Sequence, residues 1–152
     1  MNDTAWRVII RLAAEASTPA ALLGQASGGA IVIPLPTPDG PVLDRAQLEE
    51  ACMGNTDLRR RLVQTFLDDV RGRVSRLDDR LAAEDVQAVE FEAHGLKGMC
   101  GAIGAVRCAE LFGLLESHAR DANLAGGAEL IAAVAEEIGR VEGVLAPILH
   151  AA

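Results

Sequence analysis

From Val42 onward the apolar residues of this chain fall at three- and four-residue steps, stretch after stretch, and this spacing restricts the fold more than any other feature. Leu58, Leu62, Val63, Phe66, Leu67, Val70, Val74, Leu77 and Leu81 form a broad stripe along one side of a long helix. Val86, Val89, Ala93, Leu96, Cys100 and Ile103 follow a 3-4-3-4-3 pattern, as do Ile131, Val134, Ile138, Val141, Leu145 and Ile148. Between them Val106, Cys108, Leu111, Phe112, Leu115 and Ala119 supply a further helix. Such stripes leave water by packing on one another. The prediction is therefore an all-α protein, an up-down-up-down antiparallel four-helix bundle with a short extra N-terminal helix.

The breaks between these stretches carry the residues that stop and start helices. Asp44 can cap the short helix, which runs through Cys52 with Leu48 inward and covers one end of the bundle. After Gly54, Asn55 or Thr56 caps the long helix, and the third helix begins near Glu84 or Asp85. Gly101 or Gly104 ends it, since glycine is favoured just past a helix C-terminus. Asn123 to Gly127 forms the next turn, and Pro147 disturbs only the final turn of the last helix. The bundle spans residues 43–150. Residues 1–42 read as an N-terminal extension or linker rich in proline and glycine, with a short helix in which Trp6, Ile9, Ile10 and Ala13 share a face. The alternative for that segment is a helix that docks on the bundle or on a second copy.

Composition removes several classes of function. Aromatics make up only 3% and tyrosine is absent, so Leu, Val, Ile and Ala must build the core. A net charge of -8 argues against a nucleic-acid partner, which calls for a basic patch. The uncharged run from Ala16 to Pro38 is broken by prolines and glycines, so neither a membrane-spanning helix nor a membrane partner is expected. Asp3, Arg11 and Glu15 make a poor signal peptide, and a cytoplasmic location is expected. Cys52, Cys100 and Cys108 lack any zinc-type spacing and read as reduced thiols, the last two in the core.

One stretch stands apart. Ala93 to Gly104 holds four glycines within ten residues and the only lysine of the protein, in a segment whose seam is otherwise helical. A glycine inside a helix costs about 1 kcal/mol relative to alanine. Bare backbone repeated at this rate implies a use for it. At about 100° per residue, His94 points well over 90° from the centre of the Val89–Ala93–Leu96–Cys100 seam, so it faces water. Gln87, Glu90, Phe91, Lys97, Gly98 and Gly101 lie around it. An imidazole on a rigid helix and open to solvent is an available nucleophile near neutral pH. Lys97, three residues on and on the same face, supplies positive charge where a phosphoryl group on the ring would sit. Gly98 and Gly101 leave clearance for a partner's active site, with Phe91, Gln87 and Glu90 as docking contacts. Glu116, on the following helix, is a candidate to orient the imidazole or to pair with Lys97. A metal site drawn from His94, Cys100, Cys108 and His118 is not expected, because those positions share no helix face. His118 and His150 read as ordinary surface or helix-end residues.

These residues resemble the histidine phosphotransfer (HPt) domains of multistep phosphorelays. The likeness rests on Ala93, His94, Leu96, Lys97 and Gly98, matching the family's A-H-x-L-K-G core, followed by Gly104-Ala105 and by Leu115-Glu116. Gly54-Asn55-Thr56-Asp57-Leu58 is similar to the family's turn into the first bundle helix, and Phe66 to its helix phenylalanine. Met99 departs from the small residue, often Ser, usual after the motif glycine. Cys100-Gly101 with Gly104 is similar to HPt modules of hybrid sensor kinases. The resemblance covers residues 43–149. It implies that His94 accepts a phosphoryl group from a receiver-domain aspartate and passes it to another receiver, of a response regulator or hybrid kinase. The chain would bind no cofactor, Mg²⁺ being held by the partner receiver, and would act as a monomeric carrier, not an enzyme.

Two other readings compete. A non-transferring helical adaptor would bind a signalling partner with His94 incidental. The dimerisation part of a histidine kinase would instead pair two long helices across a dimer ahead of an ATP-binding sequence, whereas four helices here lie in one chain.

Overall fold

The structure, a computed structural model, describes residues 40–150. It contains α1 (Arg45–Ala51), α2 (Thr56–Ala82), α3 (Val86–Ile103), α4 (Val106–Arg120) and α5 (Gly127–His150). Expectations for Trp6, Ile9, Ile10, Ala13 and the rest of residues 1–39 lie outside the described residues. No described helix is long and apolar enough to cross a membrane.

Each of the first three helices starts on a side-chain cap. Asp44 accepts from the Gln47 backbone amide at 3.1 Å, Asn55 from Leu58 at 3.0 Å and Asp85 from Ala88 at 3.1 Å. Each bond satisfies an amide that the helix itself leaves unpaired. The two alternative ends of α3 resolve in favour of Gly104, which takes a left-handed φ of 83°. The Ala105 amide then donates back to the Cys100 carbonyl at 2.9 Å, closing the helix in the manner typical of a glycine end. A Cβ at Gly104 would collide with the Asp44 carbonyl, and the Asp44 amide donates to the Gly104 carbonyl at 2.8 Å. Only glycine fits there. This close approach ties the start of α1 to the end of α3.

The four long helices close into a ring: α2 packs on α3 and α5, and α4 also packs on α3 and α5, while α1 sits on α3. The core is aliphatic apart from Phe66, Phe112 and the thiols of Cys52, Cys100 and Cys108, and every position of the α3 seam from Val89 through Ile103 is fully buried. Two members of the predicted stripes are exposed. Leu58 and Val106 are each 38% exposed, because they lie in the first turns of α2 and α4, at the margin of the packed layer. Leu62, Leu67 and Leu81 are half-buried and flank the narrower line of Val63, Phe66, Val70, Val74 and Leu77.

Candidate functional site

The buried seam fixes the roll of α3, and with it the direction of His94. Ala93 and Leu96, on either side of it in sequence, are fully buried, whereas the His94 side chain is 72% exposed. Along the exposed face, a Cβ added at Gly98 or at Gly101 would meet nothing within 4 Å. Both glycines therefore face open space. Gly95 does something different. Its missing Cβ makes room for Arg73 of α2, whose Nη2 lies 2.5 Å from where that Cβ would be and donates to Glu92 at 3.3 Å.

Glu116 of α4 is the centre of the polar cluster. It is only 5% exposed, yet both of its oxygens are engaged. Oε1 lies 2.8 Å from His94 Nδ1 and accepts from Arg120 Nη2 at 2.9 Å, while Oε2 accepts from Lys97 Nζ at 3.2 Å. The hydrogen bond with His94, with further help from Lys97, holds its carboxyl below the usual carboxylate range against the opposing effect of burial. An ionised carboxylate can only accept, so Nδ1 must carry the proton. The lone pair of the neutral ring is then on Nε2, the nitrogen turned away from Glu116.

Of the residues named from sequence, His94, Lys97 and Glu116 come together in direct hydrogen bonds, with Gly98 and Gly101 beside them. Gln87 and Phe91 lie on the same exposed side of α3, Phe91 at 74% exposure. Glu90, expected as a docking contact, is not without a partner in the chain itself. It accepts from Arg120 Nε at 3.2 Å, because α4 brings that guanidinium across the groove. His118 is not an ordinary surface residue either: it is half-buried, with Nδ1 enclosed and unpartnered, since it adjoins the inward-facing Ala119. Cys100 and Cys108 are fully buried free thiols, and their mutual hydrogen bond, aided by burial, pushes the Cys108 thiol up.

Three participants escaped the sequence reading. Arg120 stands four residues after Glu116, a spacing that pairs charges on one helix face, so the signal was present. Gly113 underlies the Lys97 stem, with an added Cβ 3.7 Å from both Cδ and Cε. A lone glycine in a helix interior, three residues before Glu116, was the only mark it left. Gln47 of α1 donates from Nε2 to the Gly101 carbonyl at 2.6 Å, an approach that no local pattern predicts.

Comparison with known proteins agrees with this geometry. The Hpt domain family matches residues 61–144. Among solved structures, histidine-containing phosphotransfer protein B (HptB) from Pseudomonas aeruginosa PAO1 superposes with a TM-score of 0.69 at 30% sequence identity, over 73% of this chain and 96% of that one. Among curated proteins none matches. A solvent-facing histidine clasped by a buried glutamate, on a four-helix ring that these comparisons share, leads to one conclusion: the chain belongs to the Hpt domain family, the histidine phosphotransfer proteins of phosphorelays.

Proposed function

We propose that this chain is a phosphocarrier that takes a phosphoryl group from a receiver-domain aspartate onto His94 and gives it up to another receiver. The observation that carries this reading is the His94–Glu116 hydrogen bond of 2.8 Å under a ring that is 72% exposed. It leaves Nε2 as the nucleophile. In the forward step the Nε2 lone pair attacks phosphorus and an N–P bond forms. The P–O bond to the receiver's aspartate breaks, and its electron pair leaves with that carboxylate. No proton has to move, because the positive charge that develops on the ring is met through Nδ1–H by the Glu116 carboxylate. Passage to the next receiver is the same step reversed.

Phosphoryl transfer depends on in-line placement and charge stabilisation. In this reading Lys97 turns its ammonium from Glu116 Oε2 toward the phosphoryl oxygens, and the partner receiver brings Mg²⁺. The chain itself needs no cofactor and no ATP-binding domain. Gly98 and Gly101 admit the rim of the receiver's active site, with Phe91 and Gln87 as its contacts, and the carrier works as a monomer in the cytoplasm.

The experiment is transfer from a phosphorylated receiver domain to the full chain and to His94→Gln. The expected result is acid-labile, base-stable label on the wild type alone. Equal label on both, or none on either across cognate receivers, would sink the carrier and leave the non-transferring adaptor. The position of the label is a second test: ¹⁵N-detected NMR of the phosphorylated ring should place it on Nε2, and phosphate on Nδ1 would contradict the assigned role of Glu116.

A further inference from the structure

Arg120 is held by two carboxylates at once, and the two contacts are unequal. Nη2 donates at 2.9 Å to Glu116 Oε1, the same oxygen that holds His94 Nδ1, whereas Nε donates at 3.2 Å to Glu90 Oε1. Glu116 is 7% exposed at its side chain, while Arg120 and Glu90 are 61% and 38% exposed. The guanidinium is thus one shared oxygen away from the imidazole, on a long side chain that water surrounds. Among the described residues, the charged groups grouped with His94 are Lys97 and Glu90 on its own helix and Glu116 and Arg120 on α4. The Arg73–Glu92 pair between α2 and α3 lies with Gly95.

With a neutral imidazole these four charges cancel. Phosphorylation adds close to two negative charges and several strong acceptor oxygens. Arg120 can turn toward them by leaving one of its carboxylates, and the exposed, longer contact to Glu90 is the weaker hold. A guanidinium binds phosphoryl oxygens in a forked geometry that a lone carboxylate oxygen at its Nε does not use. Resting on the carrier function proposed above, we infer that Arg120 is the second cation of the phosphoryl site: it is parked on Glu90 and Glu116 in the free protein, and exchanges Glu90 for the phosphoryl oxygens once His94 is phosphorylated. Glu90 is then left as an unpaired carboxylate on the docking face. The phosphorylated and unphosphorylated forms accordingly offer a partner different charge at the same place.

The test uses the full chain with phosphoramidate as phosphoryl donor, followed by ³¹P NMR. The wild type, Arg120→Gln and Arg120→Lys are phosphorylated on His94, and the second ionisation of the phosphoryl group is titrated in each. Two cations near the group favour its dianion. Loss of one should move that ionisation upward by about half a unit or more, and Arg120→Lys should recover most of the shift. A thermal melt of each unphosphorylated protein, expected to be unchanged, separates this from a structural role. Superimposable titrations of the wild type and Arg120→Gln would overturn the inference about Arg120 while leaving the carrier intact. Failure of the wild type to form phosphohistidine at His94 would strike the carrier function instead.

Discussion

The bundle buries two glutamates, and they have opposite uses. Glu137 of α5 is 2% exposed and Glu116 of α4 is 5% exposed, and each is met by two cationic side chains. Glu137 Oε2 takes Arg107 at 3.2 Å and Arg140 at 3.4 Å, while its Oε1 and the Arg107 Nε remain enclosed without a hydrogen-bond partner. Arg107 is itself 15% exposed, so most of this pair is cut off from water. Glu116 instead has both oxygens filled, and its cations reach out into solvent, Lys97 at 49% and Arg120 at 61% exposure. The third partner of Glu116 is the exposed imidazole of His94, and Glu137 has no such partner. The same ingredients therefore give a structural tie between α4 and α5 in one place and a site in the other. The difference lies in which partners water can reach.

That contrast can be broken by substitution, and the largest effect expected is on chemistry alone. His94→Gln should abolish phosphohistidine formation while leaving the melting temperature within a degree or so of the wild type, which gel-based transfer and circular dichroism would check together. Next in size is Glu137→Ala. Removing one partner of a buried ion pair strands the other and costs roughly 3–5 kcal/mol, so a clear loss of thermal stability is expected, with transfer by the folded fraction unchanged. If that variant melts normally but transfers poorly, the division between tie and site is wrong. For Lys97→Ala the expected outcome is a folded protein whose transfer is slowed about tenfold, equivalent to about 1.4 kcal/mol in the barrier; unfolding would make the lysine structural.

The comparison also has a pH dimension. The carboxyl of Glu116 is depressed, so its contribution to stability is fully present above the ordinary range near 4.3 and is lost as pH falls through its lower folded-state value. Acid unfolding of Glu116→Gln should accordingly be less steep over that window than that of the wild type. The smallest expected effect belongs to Gly113→Ala. The added methyl would lie at ordinary contact distance from the Lys97 stem, and the gain in helix propensity is up to about 1 kcal/mol, so a neutral or slightly stabilised protein is expected. A strong loss of activity would mean that the lysine stem needs that space to move.

How much of this was readable beforehand follows from how local each cause is. The α3 seam and the exposure of His94 were legible because both follow from helical phase within a dozen residues. The end of α3 at Gly104 was left open against Gly101, because the deciding contact is with Asp44, sixty positions earlier in the chain. Glu116 was visible only as two roles, orienting the ring or pairing with Lys97. The structure assigns it both, since a carboxylate has two oxygens and α4 lies close enough to use each. The Glu90–Arg120 pair was not foreseen because Arg120 sits on another helix. Gln47 left no trace at all, since nothing within α1 reveals that it will reach the Gly101 carbonyl.

Gly95, between His94 and Leu96, has a consequence for how the imidazole is held. Arg73 of α2 lies where a side chain at residue 95 would be, and Glu116 of α4 holds the ring, so α3 is contacted on both flanks of the histidine. The imidazole is thus already held by Glu116 in the free chain. In the carrier reading proposed above, the same imidazole meets donor and acceptor, and the chain adds no bias of its own. In that reading, the direction of flow is a property of the two receivers and of how tightly each holds the phosphoryl group.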